Sequence, residues 1–581
     1  MQIIRKYRLS AFLCALAVLL CEVISRPYVE MGISDDTPYV LMARTLAVTG
    51  HIAYNGWATA MLGWQLYLGA AFIKLFGFSF TAVRMSTLLV SLATVIFLQR
   101  IFVRAGIPER NATLATLTLA LSPLYLLLSV TYMSDIFGLF AIVICLYGCL
   151  RALQSATPNA KVFWLCFAVV TNGLFGTARQ IAWLGILVML PSTLWLLRVQ
   201  RRVLIAGAAA TVAGALFILA CMEWFKHQPY SVPEHIFGPT FPLASTFWSL
   251  LYFFLAIPFL LLPIVAIFLP SLRKVRPKLL AVLGIFLVSY LFLAIYPSHL
   301  RGHFPLEPTM GGGGNWIGVH GIHEGHHLQG DPPLFLSVPV QALITIVCFG
   351  GLLAVLLSLF QQFGLRPRPA PVTQQSAARV SWRQLAFLLV PYACAYVLLL
   401  IPRAGTGWIY DRYTLEIGFV ALIFLVRYYE ESIQPRIPLA GIALIAVMAV
   451  VGVAITHNHF ALYRARVVLA NELIANGIPD TSVDNGFEYN FAVEIRTTGH
   501  INEKKVVFPA HSSISEPPLP ASTCKMFWHI MTPHITPIYG ISFDPNACYG
   551  AAPFPPASYS RWLSHSPGTL YVVRYTPPSK P

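Results

Sequence analysis

Long apolar runs separated by short charged stretches dominate the chain, and a helix needs roughly 20 apolar residues to cross a bilayer. Runs at or near that length occupy residues 9–23, 83–98, 112–128, 136–150, 162–178, 181–197 and 203–221. They continue at 248–269, 279–296, 336–359, 385–401, 415–426 and 437–455. This pattern predicts an all-α polytopic membrane bundle of about thirteen transmembrane helices. A further apolar stretch, 62–76, is short and carries Gln65 and Lys74. Counting it as a span would invert every later loop, so it is placed at the outer interface. The pattern changes after residue 456. Residues 457–581 hold a charged amphipathic helix near 462–475, a strand-like 569–575 and fifteen of the 42 prolines. That mixture predicts a small α/β domain with irregular connections. The expected division is 1–456 for the membrane part, with its first outer loop at 26–80, and 457–581 for the C-terminal domain.

Composition turns this pattern into a class. The 581 residues are 57% hydrophobic and 11% charged, with mean hydropathy +0.68, which excludes a soluble globular domain. The net charge of +16 could suggest a nucleic acid partner, but its placement gives a simpler source. With Arg5, Lys6 and Arg8 on the cytoplasmic side, 21 of the 39 basic residues fall on that side; nine lie in outer loops and nine in the tail. Such a bias is the positive-inside rule. It expects a cytoplasmic N-terminus, an extracytoplasmic C-terminal domain and no nucleic acid partner. The first run lacks a small-residue cleavage site and continues into Arg26-Pro27, so it is expected to anchor rather than be cleaved. Eight of the ten cysteines lie in apolar segments without metal-ligand spacing; Cys524 and Cys548 share the tail, where a disulfide and two free thiols both stay open.

The first outer loop carries the most chemistry. Asp35 and Asp36 directly follow a span, Thr37 can cap and Pro38 suits a first helical position. Tyr39, Met42, Ala43 and Leu46 then recur at helical spacing until Gly50 stops the helix. A helix N-terminus favours ionised carboxylates and two adjacent like charges oppose them, so one acid can hold its proton more tightly. As an isolated pair, Asp35-Asp36 would read as a solvated helix cap. Asp135, beside Ser134, likewise makes an N-cap for the fourth span. Arg179, Arg403 and Arg412 sit at outer ends of spans, where arginine either anchors to headgroups or grips phosphate through two parallel hydrogen bonds.

The order and spacing of Asp35-Asp36, Tyr39, Arg44, Thr49-Gly50-His51, Leu75-Phe76-Gly77-Phe78-Ser79, Arg84, Ser122-Pro123 and Tyr132-Met133-Ser134-Asp135 resemble the bacterial GT-C glycosyltransferases. The similarity is to the protein O-mannosyltransferase and aminoarabinose transferase superfamily. It covers about a fifth of the chain in specific motifs and, loosely, its whole layout of spans plus an outer C-terminal domain. The resemblance implies an integral membrane enzyme that moves a sugar from a polyprenyl-phosphate donor to an extracytoplasmic acceptor, at the cell (inner) membrane of a bacterium. It makes Asp35 the catalytic base, with Asp36 and Asp135 as the accompanying acids; Arg412, Arg179 and Arg403, at outer ends of spans, are then the candidates for the donor phosphate. Arg412 leads, because an Arg-Tyr pair opening a late span recurs in the family. Tyr39 and Gln65 are assigned to substrate.

Two departures stand out. Asp36 replaces the family's Glu, and Ala58-Thr59-Ala60-Met61-Leu62-Gly63-Trp64-Gln65 replaces its Lys-Pro or His-Pro motif, so a lysine aimed at the donor phosphate is missing. That keeps a catalytically silent scaffold open as an alternative, beside a transporter or flippase of lipid-linked glycans. A transporter would place ionisable or broken helices at mid-membrane and show an internal repeat; the acids here cluster at outer ends and no repeat is seen.

The loop before residue 336 gathers His299, His303, His320, His323, His326 and His327 with Glu324 and Asp331 beside Gly311 to Gly314. Such ligands could hold a divalent metal. A Gly-rich loop without a flanking scaffold reads more simply as a substrate-covering or solvated loop, so no metal or cofactor is assigned. The lipid, glycan or protein nature of the acceptor is not written in the sequence.

Overall fold

The computed structural model describes residues 2–233, 242–274, 317–322 without 319, 328–364, 380–406, 409–519, 522 and 524–577, with isolated positions between 277 and 288. Among the described residues, seven helices are long and apolar enough to cross a membrane, and two bent pairs raise the number to nine. The chain is a multi-pass membrane protein. Every expected run falls on helix except 279–296, of which only scattered positions are described. The shortfall from thirteen has physical reasons. Leu9–Ser25 and Gln180–Leu196 are apolar but short. Thr414–Ser432 carries Glu416, Arg427, Glu430 and Glu431.

The two bends lie where proline restarts a helix. Glu109–Ala120 (α5) and Pro123–Ser129 (α6) meet at 69°; the Ser122 hydroxyl accepts from the Tyr125 N–H, and Pro123 takes the first helical position, where no N–H is needed. Phe253–Leu260 and Leu262–Arg273 meet at 76°, again with a proline, Pro263, just inside the second helix.

The first helix is α1 (Gln2–Ser25), and the first outer loop folds into α2 (Asp36–Thr49) and α3 (Gly63–Phe76), which pack on each other. Gly50 ends α2 in the left-handed region at φ 76°, its N–H bonded to the Leu46 carbonyl. The start differs from expectation. Asp35, not Thr37, takes the cap position, without a side-chain cap bond, and Thr37 lies inside the helix. Helix α4 (Phe80–Arg104) begins on Ser79, whose hydroxyl accepts from the Ala82 N–H.

At the centre stands α7 (Ser134–Gln154), 83% of whose apolar window is buried. It packs between α4 and α8 (Pro158–Phe175). Close approach to α8 depends on Gly148, where an added Cβ would lie 2.9 Å from that of Ala168. Being held on all sides, α7 fixes whatever sits at its outer end, and that end is Ser134-Asp135.

After α9 (Leu190–Leu196), α10 (Arg201–Lys226), α11 (Leu243–Leu260), α12 (Leu262–Ala266), α13 (Val338–Gly364), α14 (Trp382–Thr406) and α15 (Thr414–Ser432), the last helix is α16 (Leu439–Ala475), 37 residues long. At 1.5 Å per residue it measures about 55 Å, well beyond a ~30 Å hydrocarbon core. It runs unbroken through the expected boundary at 456/457 and absorbs the helix expected at 462–475. Its outer half buries Tyr463, Arg466, Leu469 and Leu473. The C-terminal domain adds α17 (Gly486–Thr498) and a four-stranded sheet.

Two short strands outside this domain, β1 (Ile317–Gly318) and β2 (Gly321–Ile322), pair antiparallel. The sheet runs β3 (Val483–Asp484), β4 (Tyr539–Ser542), β6 (Gly568–Arg574), β5 (Ala557–Tyr559) across its width, with only β3 and β4 parallel. Cys524 and Cys548 are joined in a disulfide, and the other eight cysteines are free. This bond closes a loop of 24 residues, which by chain entropy stabilises the domain by about 3 kcal/mol. Replacing both cysteines with serine is expected to lower the unfolding temperature of the purified protein, measured in detergent, by that equivalent. An unchanged melting curve would mean the loop is held by other contacts.

Candidate active site

Three segments far apart in sequence meet at one end of the bundle. The first is the turn before α2, which presents Asp35. The second is the first turn of α7, with Asp135. The third is the 3-10 turn Asp411–Tyr413 before α15, which supplies Arg412. The Arg412 Nη2 lies 3.3 Å from Asp35 Oδ2, and its Nε lies 3.8 Å from Asp135 Oδ1. One guanidinium thus bridges two carboxylates. Arg179, in extended conformation between two 3-10 turns, donates through Nη1 to Asp135. It reaches the carboxylate past Gly138, where an added Cβ would sit 2.9 Å from the Arg179 Cδ. Here glycine keeps open the passage of an arginine.

Tyrosines floor the site. The Arg412 guanidinium lies 4.3 Å from the ring centre of Tyr410, and that of Arg179 lies 4.7 Å from the ring of Tyr413. Burial works to raise the Tyr413 phenol, yet the guanidiniums of Arg403, Arg412 and Arg179 outweigh it and leave it below its ordinary value. Arg403, at the end of α14, therefore belongs to the same positive field. Tyr39 is buried on α2 and close enough for Asp35, Arg412 and Asp135 to act on it; burial first, then Asp35, pushes its phenol well above the usual range. Of the two bridged carboxylates, Asp35 is 21% exposed and Asp135 3%. Asp35 is the one that solvent and an incoming group can reach.

Asp36 does something else. It was assigned with the catalytic acids, but it is fully buried and paired with Arg84 through Nε at 2.7 Å and Nη2 at 3.2 Å. It also accepts from the Ile33 N–H at 2.6 Å and the Tyr132 N–H at 3.3 Å. Burial pushes its carboxyl above the ordinary value, with Arg84 and these donors pulling against that rise. With every oxygen spoken for and no exposed surface, Asp36 is a clamp that ties the first loop to α4 and to the approach of α7. Gln65, expected at the substrate, is also fully buried: its Nε2 donates to the Tyr132 carbonyl at 2.9 Å and the Tyr132 hydroxyl returns a bond to the Gln65 backbone carbonyl, which ties α3 to the start of α7.

Several residues escaped the sequence reading. Trp57 donates its indole N–H to Asp35 Oδ1 at 3.2 Å, and nothing in its surroundings in sequence marks it. Glu416, on α15 behind Arg179, is 1% exposed and accepts from Tyr396 at 3.2 Å; an acid inside an apolar run was a usable signal. Asp411 accepts from the Ile317 N–H at 3.1 Å and so fastens the β1–β2 pair beside Arg412. A narrow cleft next to it is lined by Pro123, Leu124, Phe259, Leu260 and Ile317.

Among the described residues no group of three or more His, Cys, Asp or Glu could hold a metal. His299, His303, His323, Glu324, His326, His327 and Gly311 to Gly314 lie outside the described residues, so the reading of that loop stays an expectation.

No protein-family profile matches the chain, and no curated protein matches it in sequence. Among solved structures it is similar to ArnT from Cupriavidus metallidurans in the apo state, with TM-score 0.40 and 16% identity over 82% of each chain. The same protein bound to undecaprenyl phosphate gives 0.39 and 13% over 96% of this chain and 97% of that one. The oligosaccharyltransferase AglB from Archaeoglobus fulgidus, in complex with an inhibitory peptide and a dolichol-phosphate, gives 0.39 and 14% over 90% of this chain and 64% of its own. At such scores the chemistry has to be argued from this chain's side chains.

The division of labour between the adjacent acids is testable by stability. Asp36→Ala strands the buried Arg84 and is expected to cost about 3–5 kcal/mol, seen as a large fall in unfolding temperature in detergent. Asp35→Asn keeps its shape and its partly exposed setting and leaves Arg412 beside Asp135, so it is expected to lose much less stability than Asp36→Ala. Equal melting of the two variants would contradict the clamp.

Proposed function

We propose that the protein is a GT-C glycosyltransferase that moves a sugar from a polyprenyl-phosphate donor to an acceptor on the extracytoplasmic side. The observation that carries this reading is the Asp35–Arg412–Asp135–Arg179 chain at the outer end of the bundle. It sets a reachable carboxylate beside two guanidiniums, as a reaction with a charged leaving group requires. The disulfide supports an oxidising outer side for the C-terminal domain.

The chemistry follows from the donor class. A phosphate-linked sugar has a leaving group that needs no acid, so catalysis consists of deprotonating and aiming the acceptor and of offsetting charge on the phosphate. Asp35 takes the proton from an acceptor hydroxyl. The acceptor oxygen bonds to the anomeric carbon, the bond from that carbon to the phosphate oxygen breaks, and its electron pair leaves with the polyprenyl phosphate. Attack opposite the leaving group inverts the anomeric centre. Arg412 and Arg179 receive the phosphate charge, with Arg403 adding to the field. Before the donor arrives, Asp35 and Asp135 hold the guanidiniums in place, which stands in for the family's missing lysine.

A transporter would also show bent helices, as at α5–α6. Yet Asp135 is the second residue of its helix and Arg412 precedes one, so the charges stand at helix ends rather than at the breaks.

The test uses the full chain in proteoliposomes supplied with polyprenyl-phosphate sugars and candidate acceptors. Asp35→Asn is expected to lower kcat by about 10²- to 10⁴-fold, the usual share of a general base, with the anomeric configuration of the wild-type product inverted. Undiminished transfer by Asp35→Asn would remove the base, and no transfer by the wild type with any such donor would remove the reading.

A further inference from the structure

The C-terminal domain does more than sit beside the site: its helix α17 reaches the segment that carries Asp35 from two sides. Phe487 and Phe491, both buried, pack tilted with ring centres 4.1 Å apart, and Trp57 packs edge-on against them at 5.3 and 5.0 Å, with Trp528 at 6.5 Å. Trp57 is half-buried, and its N–H is the one that meets Asp35 Oδ1. On the other flank, Glu488 is fully buried; its Oε1 accepts from the Ser34 N–H at 3.2 Å and from the Tyr463 hydroxyl, and its Oε2 pairs with Arg466 at 2.9 Å. Ser34 has φ 52°, a left-handed conformation that residues with a Cβ adopt reluctantly and that persists only where neighbours impose it. Two bonds to backbone carbonyls complete the grip. The Ile501 N–H donates to the Asn55 carbonyl at 2.8 Å, and the Asn55 side chain donates to the Pro38 carbonyl at 2.9 Å.

We propose that Trp57 is the positioning residue for Asp35 and that α17, through Phe487, Phe491 and Glu488, is its mount, so that the C-terminal domain is part of the catalytic apparatus. The inference rests on the reading of Asp35 as base. A lone carboxylate on a surface turn samples several rotamers, and a base misplaced by an ångström loses much of its effect. An indole N–H fixes one oxygen and leaves the other beside Arg412, and the ring cannot swing because two phenyl rings hold it. Since Tyr463 and Arg466 belong to α16, the mount is continuous with a membrane helix, and the domain and the bundle hold the turn as one body.

Trp57→Phe keeps a ring for Phe487 and Phe491 and deletes only the N–H. In proteoliposomes it is expected to lower kcat about 10- to 100-fold while donor KM stays within about twofold and the melting temperature stays with the wild type. An unaltered kcat would overturn the proposal. So would a loss that appears wholly in KM. A second readout does not need turnover. The rate at which a water-soluble carbodiimide modifies Asp35, followed by mass spectrometry, is expected to rise several-fold in Trp57→Phe and in Glu488→Gln, because the carboxylate is freed. Unchanged labelling in both variants overturns the mount even where the wild type transfers sugar. Faster labelling in a protein that transfers nothing keeps the mount and removes the glycosyltransferase reading instead.

Discussion

A single guanidinium, that of Arg412, bridges carboxylates from two segments far apart in the chain. It lies within 3.3 Å of Asp35, 377 residues away in sequence, and 3.8 Å from Asp135. At an effective dielectric near 20, a pair of unit charges about 4 Å apart interacts by roughly 4 kcal/mol, which is substantial beside typical folding stabilities but smaller than the cost of leaving one such charge buried alone. The bridge sets a geometric condition on three segments. The first loop must fold back over the bundle, α7 must end at the right height, and the turn before α15 must face both.

The rest of the structure can be read as the means of meeting that condition. The buried Asp36–Arg84 pair fixes where α2 starts, one residue after the base. The Gln65–Tyr132 exchange sets α3 against the start of α7, and Gly138 leaves the channel through which Arg179 reaches Asp135. The 37-residue α16 carries the same rigidity outward to the C-terminal domain. Charges are scarce in this chain, at 11%, and several buried ones serve two tasks: Asp36, Arg84 and Glu488 fix the turn, and Asp135, Arg179 and Arg412 furnish the site it presents.

Much of this was legible in the sequence. Apolar runs placed nearly every helix, since the bilayer dictates length, and Gly50 marked the end of α2 because a left-handed cap calls for glycine. Asp35, Asp135, Arg179, Arg412 and Tyr39 stand out in the sequence, and the structure brings them together. The motif reading failed where one signature serves two purposes. Adjacent acids look alike in sequence, but one turn of backbone sends Asp35 to the edge and Asp36 into the interior. Arg44 and Arg84 were in the motif without a role; Arg44 covers the Phe78 ring at 4.5 Å and Arg84 neutralises Asp36, so both are structural. Trp57 and Glu488 carry no periodic or spacing signal, and the contacts that join the first loop to α17, Trp57 on Phe487 and Glu488 on Ser34, span more than 400 residues of sequence. The bends at Pro123 and Pro263 were legible in principle, as proline interrupts a helix, but an apolar run conceals a break that hydropathy does not register.

The central claim is that the arginine bridging the two carboxylates receives the phosphate of a lipid-linked sugar. Direct binding of a polyprenyl monophosphate to the detergent-solubilised protein tests it without any acceptor or known sugar. Charge-assisted hydrogen bonds contribute about 1.5–3 kcal/mol each, so Arg412→Gln, checked for wild-type melting, is expected to bind the lipid phosphate roughly 10- to 100-fold more weakly than the wild type. Equal affinity of the two proteins would contradict the account.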